Sequence, residues 1–153
     1  MHTARTQASP GKKLTAKQVD AIVCKRLRKY DKMNFMESFA MFMGKAQLVE
    51  LGLKNHLMNK YGLDEGKIER WTLGQVIGEL DKRGCRPDFV ALLKELNQHR
   101  KYIAHDLLAH DALMRKIVGS KAQRLAWKSL SRGAYVVETT VVVHDFLATN
   151  GFL

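Results

Sequence analysis

The chain has 153 residues, enough for one domain with a sizeable core. Hydrophobic residues make up 46% and charged residues 27%, a balance that excludes wholesale disorder, while 11 scattered glycines and 2 prolines exclude a collagen-like or low-complexity chain. The charge is lopsided: 26 Lys and Arg face 15 Asp and Glu, a formal net of +11.

The longest apolar run, Phe39 to Met43, is far short of the roughly 20 residues a bilayer crossing needs, so no membrane association is expected. Met1 to Lys13 is polar and basic without an apolar stretch, so no secretory signal is visible and a cytoplasmic location is expected. Cys24 and Cys85 stand 61 positions apart and form no metal-type pair; free thiols serving as small core residues are the expectation.

The positive charge is concentrated in two places. Residues 1–32 carry nine basic side chains against Asp20 and Asp31, and Arg115 to Arg132 holds six with no acid. Such a surface suits a polyanion, because neutralising phosphates releases condensed counterions. Within the second stretch Lys121, Arg124 and Lys128 recur at helical spacing and are the expected RNA contacts.

The hydrophobic period is helical nearly throughout. Residues 1–14 read as a basic tail and 15–153 as one helical domain. Thr15 is an expected N-cap for a helix to about Tyr30, with Val19, Ile22, Val23 and Leu27 on one face. Asn34 caps a long second helix, where Phe35, Phe39, Phe42, Ala46, Val49 and Leu53 form a stripe that Gly62 terminates. After a polar connection over 62–71, Thr72 caps a short helix carrying Leu73, Val76, Ile77 and Leu80. Gly84 stops it, and Pro87 opens the next. In that fourth helix Phe89, Leu92, Leu96, Ile103, Leu107, Met114 and Ile117 hold one face until Gly119. A fifth runs from Ser120 toward Asn150 and Gly151. Its segment Tyr135 to Val143 is β-branched and strand-like by propensity. No second strand exists to pair with it, so helix is the reading. The expected fold is all-α, an antiparallel bundle of about five helices.

Most chemical motifs are absent. Pro10-Gly11-Lys12-Lys13 lacks the first glycine and the Ser or Thr of a phosphate loop, and no HExxH, CxxC or GxSxG occurs. His105 and His110 diverge on a helix, and Asp106 with His110 reads as a surface ion pair. Neither a metal nor a cofactor is expected.

The fourth helix is different. Its segment LNQHRKYIAHDLL places Arg100 five residues before His105, with Asn97 three before the Arg and Ile103-Ala104 directly before the His. This resembles the signature of the HEPN superfamily of small α-helical nucleotide-binding and ribonuclease domains, marked by an Arg, four to six residues and a His. Thr72-Leu73-Gly74-Gln75 resembles a helix start of some bacterial members; Lys101 departs, standing where Asn or another small polar residue is usual. The resemblance implies a metal-independent endoribonuclease acting at a composite cleft of a homodimer, leaving a 2′,3′-cyclic phosphate and a 5′-hydroxyl. His105 would be the acid/base, Arg100 the phosphate clamp, and Asn97 and Lys101 supporting contacts. A toxin or defence effector with an antitoxin or other protein partner belongs to the same expectation. Two other readings stay open beside it: a catalytically silent module binding RNA or nucleotides, and a helical dimer regulating a protein partner.

On a regular helix Arg100 and His105 point about 140° apart and lie about 7.5 Å apart along the axis, so one straight helix cannot focus both on one atom. Between them Ala104, Leu108 and Ala112 form a second stripe, suited to another helix of the same chain or to the same helix of a second chain, where a two-fold axis would bring two Arg and two His together. Glu79 and Asp81, on the preceding short helix, are the expected partners of Arg100. His56 and His99 are expected to be buried, hydrogen-bonded imidazoles.

Overall fold

The computed structural model describes residues 13–107, 109, 116 and 120–153, the side chains of 120–123 excepted. Its α-helices are α1 (Ala16–Leu27), α2 (Phe35–Tyr61), α3 (Glu65–Ile68), α4 (Leu73–Lys82), α5 (Pro87–Lys101) and α6 (Ser120–Thr149). A 3₁₀ turn, Arg28–Lys32, follows α1, and a π-helical turn, Tyr102–Leu107, follows α5. There are no strands among the described residues, and the fold is an all-α bundle.

Local chemistry sets the helix starts. At Thr15, Asn34 and Thr72 the cap side chain accepts the amide of the residue three positions on, and that residue's Gln or Glu side chain accepts the cap amide in return. Each reciprocal pair satisfies two donors that a helix start leaves orphaned. At the other end of α2, Gly62 takes φ 65° and returns its amide to the Met58 carbonyl at 2.9 Å.

α6 is the spine, packing against α1, α2 and α5. Phe42, Leu53 and Leu57 of α2, Leu93 and Leu96 of α5, and Leu130 and Val137 of α6 meet in one core. The β-branched run of α6 is helical, because Val136, Val137 and Val142 are buried there and packing outweighs propensity. Its threonine hydroxyls are satisfied locally: Thr139 donates to the Tyr135 carbonyl and Thr140 to that of Val136, each at 2.8 Å.

One carboxylate is buried on this spine. Glu138 has a fully buried side chain and accepts from Tyr30 Oη at 3.0 Å and from Lys45 Nζ. Lys29 Nζ stands 3.0 Å away and Arg26 Nη1 3.9 Å. Burial pushes the Glu138 carboxyl up, but the hydrogen bonds from Lys45, Lys29 and Tyr30 outweigh it and hold the group below its ordinary value. The Tyr30 hydroxyl is driven well above its ordinary value by burial and by the Glu138 charge. This cluster fastens the 3₁₀ turn and α2 to α6.

Two expectations fail here. Cys24 is exposed rather than a core residue, since α1 buries only Val23; Cys85 is half-buried against the core. The fourth helix does not run as a regular α-helix to Gly119, because α5 gives way to the π turn at Tyr102. Residues 1–12 of the expected tail, and Leu108, His110, Ala112, Met114 and Ile117, lie outside the described residues.

Candidate active site at the end of α5

Arg100 occupies the last full turn of α5, and His105 lies in the π turn that follows. At the junction the Tyr102 amide is shared between the Gln98 and His99 carbonyls, the point at which the ladder loses its regular α register. Ile103 and Leu107 keep the turn anchored in the core, while His105 is exposed. The altered backbone changes the geometry expected of a straight helix. A turn bonded i to i+5 needs more residues per revolution than an α-turn, so five residues come closer to one full revolution. Arg100 and His105 are therefore separated by a change of helical register rather than by the regular α-turns of a straight helix.

A glycine accommodates this turn. A Cβ on Gly133 of α6 would stand 2.5 Å from Ile103 Cδ1 and 3.1 Å from the Phe42 ring. The missing side chain lets α6 approach the π turn and α2 together.

Arg100 is tied to α2 rather than to α4. Its Nη1 lies 2.9 Å from Glu50 Oε2, and its Nη2 donates to Gln47 Oε1 at 3.2 Å. Glu50 is buried, and its other oxygen pairs with Lys54 Nζ at 2.8 Å. Lys54 in turn donates to the Glu69 carbonyl at 3.0 Å. Glu50 Oε2 makes no well-formed hydrogen bond, so it faces Arg100 as a close ion pair with acceptor capacity left over. Two cations around one carboxylate leave the site with a positive charge in excess, and the Arg100 side chain remains 24% exposed. A guanidinium so placed can meet an anion while its carboxylate partner fixes its orientation.

The expected pairing of Arg100 with Glu79 or Asp81 is thus replaced. Glu79 pairs with Arg83 one turn on, and Asp81 with Lys94. Sequence reasoning missed Glu50, Lys54 and Gln47, although Glu50 and Lys54 stand four apart among the buried positions of α2. An acid and a base in an apolar stripe was the available signal.

The other expected residues are dispersed. Asn97 is half-buried against α4, its Nδ2 3.2 Å from where a Gly74 Cβ would stand; the absence of that Cβ admits the amide. Lys101 is exposed. Of the Ala104, Leu108 and Ala112 stripe, the structure describes Ala104, which is half-buried. Arg124 and Lys128 are exposed on α6, whereas the Lys121 side chain lies outside the described residues. Lys128 joins Arg132, His99, Tyr135 and Glu95 around a groove of about 570 Å³ between α5 and α6. His99 is therefore a half-buried groove residue rather than a fully buried one. His56 is also half-buried, packing edge-on to Tyr61, and its pKa is lowered by burial, then by Lys60 and His144.

None of the family models, curated proteins or solved structures compared with the chain matches it. Among the described residues no helix is long and apolar enough to cross a membrane.

Proposed function

We propose that this chain is a metal-independent endoribonuclease of the HEPN type, acting as a homodimer on RNA. The observation that carries the reading is Arg100, held by Glu50 and Gln47 at the end of α5, followed five positions on by an exposed His105 in a π turn. π turns inside α-helices recur at functional sites. RNA brings its own nucleophile. The 2′-hydroxyl loses a proton and attacks the adjacent phosphorus, forming one P–O bond as the bond to the 5′-oxygen breaks. An imidazole can both accept and donate a proton, so His105 suits the proton transfer. Arg100 steadies the charge that develops on the phosphate oxygens. The products are a 2′,3′-cyclic phosphate and a 5′-hydroxyl. A second copy brings a second Arg100 and His105 to one cleft. Support for a partner comes from α2, which exposes Leu48 and Leu51 at 66% and 52% on the helix that holds Arg100. A role as a toxin or defence effector in the cytoplasm, restrained by an antitoxin, fits such an activity.

The test is RNA cleavage in EDTA, read on a gel. Wild type cleaves, and His105→Ala and Arg100→Ala each lose roughly 10²–10⁴-fold while staying folded and dimeric. Substrates lacking the 2′-hydroxyl resist. Wild-type-like cleavage by His105→Ala refutes the assignment.

One observation favours a second reading, a silent RNA-binding module. The Arg100 guanidinium has a buried carboxylate partner within the chain, Glu50. That module binds RNA without cutting it. Replacing Arg124 and Lys128 by Ala then flattens the salt dependence of single-strand binding, by about 0.7 in log–log slope for each phosphate no longer neutralised.

A further inference from the structure

A cavity of about 530 Å³ lies between the 3₁₀ turn, the first turns of α2, and α6, and it is unrelated to Arg100. Its walls include Tyr30, Asp31, Ser38, Trp127, Leu130 and Ser131. The volume falls in the range of about 300–1,000 Å³ typical of small-molecule sites.

Four features define what would fit. Ser38 is 2% exposed, yet its hydroxyl has no hydrogen-bond partner, so a polar anchor is buried in the wall unused. The Trp127 ring is fixed edge-to-face on Phe35, with centroids 5.4 Å apart and planes at 86°, which presents a preset surface for a flat ring. Asp31 offers an exposed carboxylate that makes no ion pair among the described residues. The Tyr30 hydroxyl leads directly to Glu138, where Arg26, Lys29 and Lys45 outnumber the carboxylate. A flat ring, an amino-bearing edge and a nearby anion are the requirements.

The geometry points to a site for a guanine base carrying a phosphate. Guanine alone among the common bases places a ring N–H beside an exocyclic amine, two parallel donors that a carboxylate accepts together. Adenine and cytosine set a ring acceptor beside their amine, which an ionised Asp31 repels. The base stacks on Trp127 with its edge toward Asp31, and the phosphate lies toward Lys29 and Arg26. Two sources share this chemistry: a free guanosine nucleotide and a guanosine within an RNA strand.

The chain has two tryptophans, so Trp71→Phe leaves Trp127 as the only indole reporter. In that background, titration with guanosine monophosphate gives a saturable change in red-edge-excited emission, and adenosine monophosphate binds at least about tenfold more weakly. Asp31→Asn, at an exposed position that leaves the fold intact, loses about tenfold in guanosine monophosphate affinity. His105→Ala binds like its parent, which separates this site from the cleavage reading. Competition with single strands then assigns the source. Displacement by a guanine-containing strand but not by a cytosine strand identifies an RNA base, and retention identifies the free nucleotide; either keeps the site. No saturable change at millimolar nucleotide overturns the proposal. So does undiminished binding by Asp31→Asn, or binding lost in Arg100→Ala and kept in Asp31→Asn.

Discussion

Glu138 and Glu50 are both buried carboxylates set among cations, yet they are wired differently. Glu138, on α6, gathers Arg26, Lys29, Tyr30 and Lys45 from more than 90 positions away. Glu50, on α2, pairs with Lys54 on its own helix and with Arg100 at the edge of the π turn. The first joins distant elements and loads one oxygen with donors. The second orients a single guanidinium at the end of α5, and each carboxylate leaves its Oε2 without a well-formed hydrogen bond. A buried charge staples a fold when its partners come from many elements, and it positions a side chain when they come from one neighbour.

Exchanging each carboxylate for its amide breaks or sharpens that contrast. Glu50→Gln is expected to lower RNA cleavage by about 100-fold, because Arg100 loses the group that orients it. Its stability cost is about 3 kcal/mol, because the 11%-exposed Lys54 loses its carboxylate, so cleavage is compared per folded fraction. Glu138→Gln leaves the orientation of Arg100 untouched. It strands partly exposed cations and costs about 3 kcal/mol, the low end for a broken buried pair. Thermal unfolding should register a fall of about 6–12 °C, while the folded fraction cleaves normally. Activity lost in Glu138→Gln and retained in Glu50→Gln would invert the assignment.

The pH dependence follows from the same residues. The folded Glu138 carboxyl titrates below its ordinary 4.5, so its contribution is complete above that pH and is lost as pH falls through the folded value. Tyr30 titrates above its ordinary 10.0, so its contribution is complete below pH 10.0 and disappears at higher alkalinity. Denaturant unfolding followed across pH separates the two flanks. Glu138→Gln removes the Glu138 part of the acid one.

A smaller effect sits at the π turn. Gly133→Ala drives a methyl into Ile103 Cδ1 and the Phe42 ring, and should cost about 1–3 kcal/mol. Ile103→Val removes the atom in closest conflict. The double variant should recover part of the loss, a coupling that a double-mutant cycle measures. Strict additivity would mean that Gly133 does not act through the turn.

Much of the fold was legible because its signals are local. Thr15, Asn34 and Thr72 cap the helices they precede, and Gly62 ends α2, since capping involves residues three or four apart. The valine-rich stretch of α6 was legible by elimination, having no strand to pair with. The π turn was not. Leu96, Ile103 and Leu107 are spaced acceptably for an α-helix, and the widening depends on α6 approaching through Gly133, more than 25 positions away. The partner of Arg100 was misread for a similar reason. Glu79 and Asp81 are near in sequence, but Arg83 and Lys94 engage them, while Glu50 lies 50 positions back on a helix that packs against α5. Cys24 was misplaced because α1 contributes one buried residue rather than a full stripe.

The π turn also bears on how the Arg-to-His interval can change over time. A wider turn is an α-helix that has absorbed an additional residue without breaking. Deleting one residue within Tyr102–Leu107 would let the backbone relax to α-type bonding, with the helix before it still in phase with the core. The helix thus carries a slot for length variation between Arg100 and His105. A change of one residue in that interval then becomes a choice of backbone register rather than a change of fold.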